Sequence, residues 1–288
     1  ADSALLFDTL KTEGRELEYL HVEGRAQLVT RTGTALSSVL GGLLASVSLR
    51  LPFLANVAAA TVLLAAATAM REPARPAVAT GRLHEIVTVV RRSLRSPTLR
   101  PVLLLSALTM ATGITAIWGY FLYFTKAGLP LASFGVVFAL LQAASGLGSR
   151  AGGAVEKRLG GAQSLGTVIL IAASLLPFGL VTSLWVLPFA FLHMALWGLS
   201  WPLLLARVNR AATSDVRSTV LSTGALLGRI LYVAMGVAFG RTADCLSIGT
   251  AFLGLAALHV AAAVMLVASV ARSEARAGQR GMELPPAC

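Results

Sequence analysis

The stretch PVLLLSALTMATGITAIWGYFLYFT at residues 101–125 decides the fold class, because all 25 of its residues are uncharged. A helix rises about 1.5 Å per residue, so this run is long enough to cross a hydrocarbon core of about 30 Å. Seven further apolar runs occupy residues 26–49, 51–70, 130–149, 163–182, 184–206, 218–240 and 247–271. Backbone groups inside lipid find no water, so the runs predict helices and not strands of an open sheet. The expected fold is all-α, a polytopic membrane bundle of about eight complete transmembrane helices and one partial helix.

Basic residues are concentrated in every second loop between the runs. The poor loops offer only Arg50, Lys126 and Arg241, and the stretch 181–183 offers none. The rich loops hold Lys11, Arg15, Arg25; Arg71, Arg75, Arg82, Arg91, Arg92, Arg95, Arg100; Arg150, Lys157, Arg158; Arg207, Arg210, Arg217; and Arg272, Arg276, Arg280. The positive-inside bias places the rich loops in the cytoplasm. We therefore expect a multi-pass protein of the cell membrane, with its central linker and C-terminus cytoplasmic.

Composition excludes several classes of protein. The net charge of +11 lies at the edges of the runs, where it faces anionic headgroups, so the bilayer is the expected partner and nucleic acid is not. The two cysteines, Cys245 and Cys288, fall on opposite sides of the membrane in this topology, and no metal-ligand spacing is present. The sequence also lacks paired Asp motifs, zinc-type His and Glu spacing, and a phosphate-binding Gly-Lys-Ser or Gly-Lys-Thr loop. We expect no enzyme activity, no cofactor and no metal.

The longest loop, residues 71–100, contains a predicted amphipathic helix. Its apolar face carries Leu83, Ile86, Val87, Val90 and Leu94, and its polar face carries Arg82, Glu85, Arg91, Arg92 and Arg95. Such a helix lies on the cytoplasmic membrane surface or forms a solvated linker. Residues 1–10 are only half an apolar span, and we interpret them as the end of a helix whose remainder is missing from a truncated chain.

A long basic loop followed by six spans resembles the second half of a major facilitator superfamily transporter, in which two six-helix bundles are joined by a cytoplasmic loop. The runs would then be spans five to twelve, preceded by the end of span four. The resemblance implies four segments: 1–70, the end of the first bundle; 71–100, the linker; 101–271, the second bundle; and 272–288, a cytoplasmic tail. Residues 1–10, 13–19 and 24–27 are similar to drug-efflux members around span four and the loop into span five.

Two short motifs carry the resemblance further. Gly24, Gly33, Gly41 and Gly42 match the span-five glycine motif of proton-coupled antiporters, with Ser37–Ser38 in place of Gly-Pro. Small residues there permit close helix packing. The stretch GAVEKRLG at residues 153–160 is similar to the motif Gly-x-x-x-Asp-Arg-x-Gly with its acid one position early, which implies a gating contact involving Glu156 and Arg158. Arg217 begins a run whose glycines echo span five, which implies a role in helix packing.

Polar residues inside apolar runs are expensive in hydrocarbon and mark candidate pathways. Four such residues are Asp2, Gln142, His193 and Arg229. Asp2 and His193 could carry a coupling proton, since the resemblance places them in cavity-lining spans. The alternatives are an interfacial carboxylate for Asp2 and a hydrogen-bonded core imidazole for His193. Arg229 lies mid-run and needs a partner, for which Asp2 or an acid in the missing spans is the candidate.

Aromatic residues complete the predicted pocket. Trp118 and Trp197 would bind a small lipophilic or cationic substrate through apolar and cation–π contacts. Tyr120, Tyr123 and Trp201 are interpreted as an aromatic belt at the membrane boundary. The predicted function is secondary active transport of small molecules, proton-coupled and outward. A permease subunit working with a separate ATPase, and a non-transporting gene remnant, remain as alternatives.

Overall fold

The computed structural model describes residues 2–48, 50–69, 83–130, 133–160, 165–213 and 216–282. Within these ranges the chain forms ten α-helices and two 3-10 turns, Glu16–Glu18 and Leu184–Val186, and no strand. The helices are α1 (Asp2–Thr12), α2 (Tyr19–Val47), α3 (Leu51–Ala69), α4 (Leu83–Arg95), α5 (Leu99–Lys126), α6 (Phe134–Leu159), α7 (Gly166–Leu180), α8 (Leu187–Ala211), α9 (Arg217–Cys245) and α10 (Ile248–Met282). The all-α prediction is confirmed.

Each of the eight predicted runs overlaps one of the described helices, but these helices differ in length and in apolar character. Six of the described helices, α3, α5, α6, α8, α9 and α10, are long and apolar enough to span a bilayer. Helix α7 is apolar but has only 15 residues. Helix α2 has 29 residues but begins at Tyr19, seven residues before the predicted run, and so includes Glu23 and Arg25.

The helices α5 to α10 pack on one another around two apolar cores. The core near the arginine-poor loops is aromatic and joins Tyr120 and Tyr123 of α5, Phe178 of α7 and Phe252 of α10. Ring centroids lie 4.9 Å apart for Tyr120 and Phe178 and 5.0 Å for Phe178 and Phe252. Tyr120 and Tyr123 are almost completely buried, so the belt interpretation was wrong for both. Their rings instead fill the space between three helices.

A buried histidine joins three helices in the second core. His259 Nε2 lies 2.9 Å from the Val168 carbonyl oxygen, which can only accept, so Nε2 carries the hydrogen. In the neutral ring Nδ1 is then the acceptor, and the Thr112 hydroxyl donates to it at 2.8 Å. The neutral imidazole thus ties α10 to α7 and α5 and satisfies its own polar atoms.

Helices α6 and α8 cross with their backbones in close contact. A Cβ at Gly148 would lie 2.0 Å from the Ala195 carbonyl oxygen, and one at Gly198 would lie 1.9 Å from the Ser145 carbonyl oxygen. The hydroxyl of Ser149 donates to the Gly198 carbonyl at 2.9 Å. Small residues therefore set the distance between these helices, as is common in membranes.

Helix α2 lies along α6, which joins the first part of the chain to the last six helices. A Cβ at Gly24 would lie 2.7 Å from the Ser149 carbonyl oxygen, and one at Gly153 would lie 3.8 Å from the Leu20 Cβ. Helix α3 packs against α2, and none of the residues in its apolar segment, Leu51–Thr68, is buried inside the protein.

Helix α4 packs against α5 and α9. Ser93 is buried, Val89 contacts the apolar core, and Arg91, Arg92 and Arg95 are exposed. Residues 83–95 are therefore helical, and part of the inner face of this helix contacts protein; its place in a cytoplasmic linker stays a prediction. The side chains of Leu83, Glu85 and Ile86 and the whole of residues 70–82 lie outside the described part of the chain.

Candidate functional site

A cavity of about 560 Å³ separates α2 from the helices α5, α8 and α9. Among the described residues, its wall carries one carboxylate, a few neutral polar groups and many apolar side chains. The lining residues are Leu6, Glu23, Ala26, Gln27, Thr30, Leu103, Ser106, Met110, Trp201, Leu204, Leu205, Val208, Leu221, Ser222, Gly224 and Ala225. Mostly apolar cavities with a few placed polar groups are typical of small-molecule sites.

Helix α2 supplies the most polar wall of the cavity. Glu23, Gln27 and Thr30 recur with Ala26 at spacings of three and four, which places all four on one helix face. The Glu23 side chain is only 4% exposed, and Gln27 Nε2 donates to its Oε1 at 3.0 Å. A carboxylate beside apolar side chains is costly in a membrane, so it marks a candidate functional residue.

Helix α8 supplies the apolar and aromatic wall. Trp201, Leu204, Leu205 and Val208 again share one helix face. Trp201 therefore lines the cavity, and the belt interpretation was wrong for this residue too. On the opposite helices, Met110, Ser106 and Ser222 add thioether and hydroxyl groups.

Trp197 lies one turn from Trp201 and joins three helices. Its indole Nε1 donates to the Thr109 carbonyl of α5 at 3.0 Å, and the Arg31 guanidinium of α2 lies 4.8 Å from the ring centroid. A Cβ at Gly113 would lie 2.2 Å from Nε1, so the glycine makes room for the ring. Trp197 is buried beside the cavity and is not among its described lining residues.

Towards the arginine-rich end, α1 and α2 contact α8 and α9 through four side chains, the Phe7–Arg217 cluster: Phe7, Tyr19, Asn209 and Arg217. Asn209 Nδ2 donates to the Tyr19 hydroxyl at 2.9 Å, and the rings of Phe7 and Tyr19 meet edge to face at 5.1 Å. The buried Arg217 guanidinium lies 4.5 Å from the Phe7 centroid. Its Nη2 donates to the Ala212 carbonyl at 3.0 Å. The cluster therefore joins α1, α2, α8 and α9 at this end.

An ionic network lies at the same end of α6, α8 and α10. Glu156 Oε1 lies 2.9 Å from Arg210 Nη1, and Glu156 Oε2 lies 3.6 Å from Arg207 Nη1. Arg207 Nε lies 3.4 Å from Glu274 Oε1. Arg158 is exposed and forms no ion pair within the described residues. Glu156 therefore contacts two arginines of α8, and a gating role for Glu156 and Arg158 stays a prediction.

Most of the residues predicted for a pathway do not line the cavity. His193 is buried, with Nδ1 3.3 Å from the Ser174 hydroxyl and its ring edge-on to Tyr120. Gln142 is buried on α6, and its Oε1 has no hydrogen-bond partner among the described residues. Trp118 is 60% exposed and packs on Phe121. A pathway role for His193, Gln142 and Trp118 stays a prediction.

Arg229 and Asp2 are not seen together. Arg229 is exposed on the same side of α9 as Leu226 and Ile230 and has no ion pair within the described ranges. Asp2 is the first residue of α1, and its side chain lies outside the described part of the chain. The proposed partnership between them stays a prediction.

The predicted packing glycines of α2 also differ among themselves. A Cβ at Gly33 or Gly41 would meet no described atom within 4 Å, whereas Gly24 is in close contact with α6. The surroundings of Gly42 lie outside the described part. A gating or packing role for the three glycines stays a prediction.

Sequence reasoning does not identify Glu23, because this residue lies among the charges that precede the first complete apolar run, 26–49. The structure starts α2 at Tyr19, so Glu23 belongs to the helix. The repeat of Glu23, Gln27 and Thr30 at helical spacing was the signal that could have identified it.

Comparison with known proteins agrees with this architecture. Residues 18–231 match the Major Facilitator Superfamily, which is well over half of the chain. The chain therefore belongs to the Major Facilitator Superfamily, and it is a membrane transporter of that type with small-molecule substrates. A search of curated proteins found no match.

Proposed function

We propose that this transporter exports small lipophilic cations in exchange for protons, through the cavity between α2 and the helices α5, α8 and α9. The single observation that carries the proposal is Glu23, a buried carboxylate in an otherwise largely apolar wall. Apolar side chains and the Trp201 ring suit a lipophilic body, and the carboxylate suits a positive charge. The outward direction rests on the resemblance of residues 1–10, 13–19 and 24–27 to drug-efflux members.

Coupling follows from competition for one carboxylate. An ionised Glu23 attracts a cation strongly because the surrounding apolar side chains screen charge poorly. When a proton binds to Glu23, the charge disappears and the cation loses its partner. Proton binding and cation binding would therefore exclude each other at one site, so that uptake of a proton releases the cation, which is the requirement for exchange.

Opening and closing of the cavity require contacts that can form and break. The Phe7–Arg217 cluster and the network around Glu156 are suited to closing the arginine-rich end, since both join different helices there. We place this end in the cytoplasm of a cell-membrane protein, from the distribution of basic residues. The segments 1–70, 71–100, 101–271 and 272–288 remain our proposed division of the chain.

The test is a Glu23→Gln variant in proteoliposomes that contain a pH-sensitive dye. Gln keeps the shape of the side chain and removes both its charge and its proton. We expect addition of ethidium, a lipophilic cation, to drive proton movement with the unchanged protein. Glu23→Gln should reduce that movement to the level of empty vesicles.

Two further variants make the result specific. Glu23→Asp keeps a carboxylate and should retain part of the exchange. Glu18→Gln removes an exposed carboxylate that is paired with Arg15, five residues before Glu23, and should exchange normally. Undiminished proton movement with Glu23→Gln would show that coupling does not pass through this residue.

A further inference from the structure

A second cavity, of about 630 Å³, lies between the start of α5 and residues 265–273 of α10. It shares no lining residue with the first cavity and lies at the arginine-rich end. Its lining residues are Pro97, Thr98, Arg100, Pro101, Leu104, Met265, Leu266, Ser269, Arg272 and Ser273. The transport cycle proposed above does not use this cavity.

Polarity changes steadily along its wall. On α10 the lining passes from Met265 and Leu266 through Ser269 to Arg272. Seven residues of helix separate Met265 from Arg272, which is about 10 Å along the axis. On α5 the same change runs from Leu104 back to Arg100. The cavity therefore has an apolar inner end and a cationic outer end, and this profile matches an amphiphile.

The cationic end is available to an anion. Arg100 forms no ion pair among the described residues, and Arg272 uses only Nε, which donates to the Ala268 carbonyl at 3.2 Å. The neighbouring carboxylate Glu274 pairs with Arg207. Two guanidinium groups in one cavity are well suited to phosphate, which accepts paired hydrogen bonds from each. The N-terminal end of α5 adds a partial positive charge.

We propose that this cavity binds an anionic phospholipid of the bilayer. Arg100 and Arg272 hold the headgroup phosphate, and an acyl chain follows Leu104 and Met265. No carboxylate lines the cavity among the described residues, so the amine of a zwitterionic headgroup would face two arginines without a counter-charge. The site therefore prefers phosphatidylglycerol to phosphatidylcholine. Basic pockets at the cytoplasmic ends of membrane helices suit such headgroups.

The test measures lipid binding to the purified full chain in neutral detergent, by native mass spectrometry during titration with phosphatidylglycerol or phosphatidylcholine. The double variant Arg100→Gln/Arg272→Gln should weaken phosphatidylglycerol binding at least about tenfold, since each basic residue near a membrane surface contributes about 1 kcal/mol. The matched control, Arg150→Gln/Lys157→Gln, removes two exposed charges of α6 and should bind normally. Arg100→Lys/Arg272→Lys should recover part of the affinity.

Two further measurements distinguish binding of the lipid from binding of other anions. Excess inorganic phosphate should leave bound phosphatidylglycerol in place, because the acyl contacts are absent from the free ion. Met265→Trp, at a largely exposed position, should block the path of the acyl chain and weaken phosphatidylglycerol binding. This variant tests the proposal even if the double arginine variant folds poorly. Equal loss in the α6 control, equal binding of phosphatidylcholine, or displacement by phosphate would each overturn the proposal.

Discussion

Gly198 lies where α8 crosses α6, and no side chain larger than hydrogen fits there without movement of the backbone. A Cβ at this position would lie 1.9 Å from the Ser145 carbonyl oxygen and 2.8 Å from the Ser145 hydroxyl oxygen. Both helices are anchored on other neighbours, since α8 also packs on α7 and α6 also packs on α2. The extra methyl group must therefore move one helix as a whole.

We expect Gly198→Ala to destabilise the protein by about 1–3 kcal/mol, the usual range for overpacking. The measurement is the thermal unfolding midpoint in detergent. Gly254→Ala on α10 is the control, because a Cβ there meets no described atom within 4 Å. The control should be neutral or slightly stabilising, since alanine favours helix over glycine. Equal midpoints for the two variants would contradict the close crossing.

The surroundings of single side chains were harder to predict from the sequence than the helices that carry them. Hydropathy identified His193 and Arg229 as polar residues in apolar runs, but it cannot say which side of a helix faces a cavity. The structure places His193 against Ser174 and Arg229 on an exposed surface. The position of Glu23 in a helix was not predictable from hydropathy either, because the charged residues near it lower the hydropathy at the start of α2.

At the scale of one element, α4 shows how a predicted amphipathic helix is used. The sequence indicated an apolar and a basic face, and a lipid surface or solvent as their surroundings. In the structure Ser93 is 3% exposed and Arg92, the next residue, is exposed. Protein contact was not predictable, because periodicity shows that a face is apolar and not what covers it.

We therefore expect cysteines at these two positions to differ in reactivity. In a chain carrying Cys245→Ser and Cys288→Ser, Ser93→Cys should react with a polar maleimide at least about tenfold more slowly than Arg92→Cys, because burial protects a thiol. Rates are read from purified protein in detergent. Similar rates at both positions would favour the solvated linker helix.

At the scale of the whole molecule, the contact between α2 and α6 joins the first part of the chain to the last six helices. The order and number of helices were predictable, because each apolar run has the length of a membrane span. Their neighbours were not, since contacts such as Gly24 with Ser149 depend on small residues that hydropathy does not distinguish.

This contact can be tested with a disulfide. The Cβ position of Gly153 lies 3.8 Å from the Leu20 Cβ, which is the usual separation in a disulfide. We expect Leu20→Cys/Gly153→Cys, in the chain without native cysteines, to cross-link on mild oxidation. A protease site inserted within residues 71–82 would release two fragments that stay joined on a non-reducing gel.

The control pair is Gly33→Cys/Gly153→Cys. Gly33 is 13 residues along α2 from Leu20, about 20 Å away, and should not cross-link. Joined fragments from the control, or separate fragments from the test pair, would contradict the observed packing. If exchange occurs as proposed, the test pair should also lose transport when oxidised and regain it when reduced.

Helix α3 differs from the other spans in what determines its orientation. Its 19 residues measure about 28 Å, close to the roughly 30 Å of a hydrocarbon core, and none of its apolar window is buried. In the most apolar 18-residue segment of α5, by contrast, 67% of the residues are buried. Packing therefore fixes the tilt of α5, whereas lipid thickness has the greater influence on the tilt of α3. A thicker or thinner bilayer would reorient α3 before α5, which makes α3 the described helix most responsive to the membrane around it.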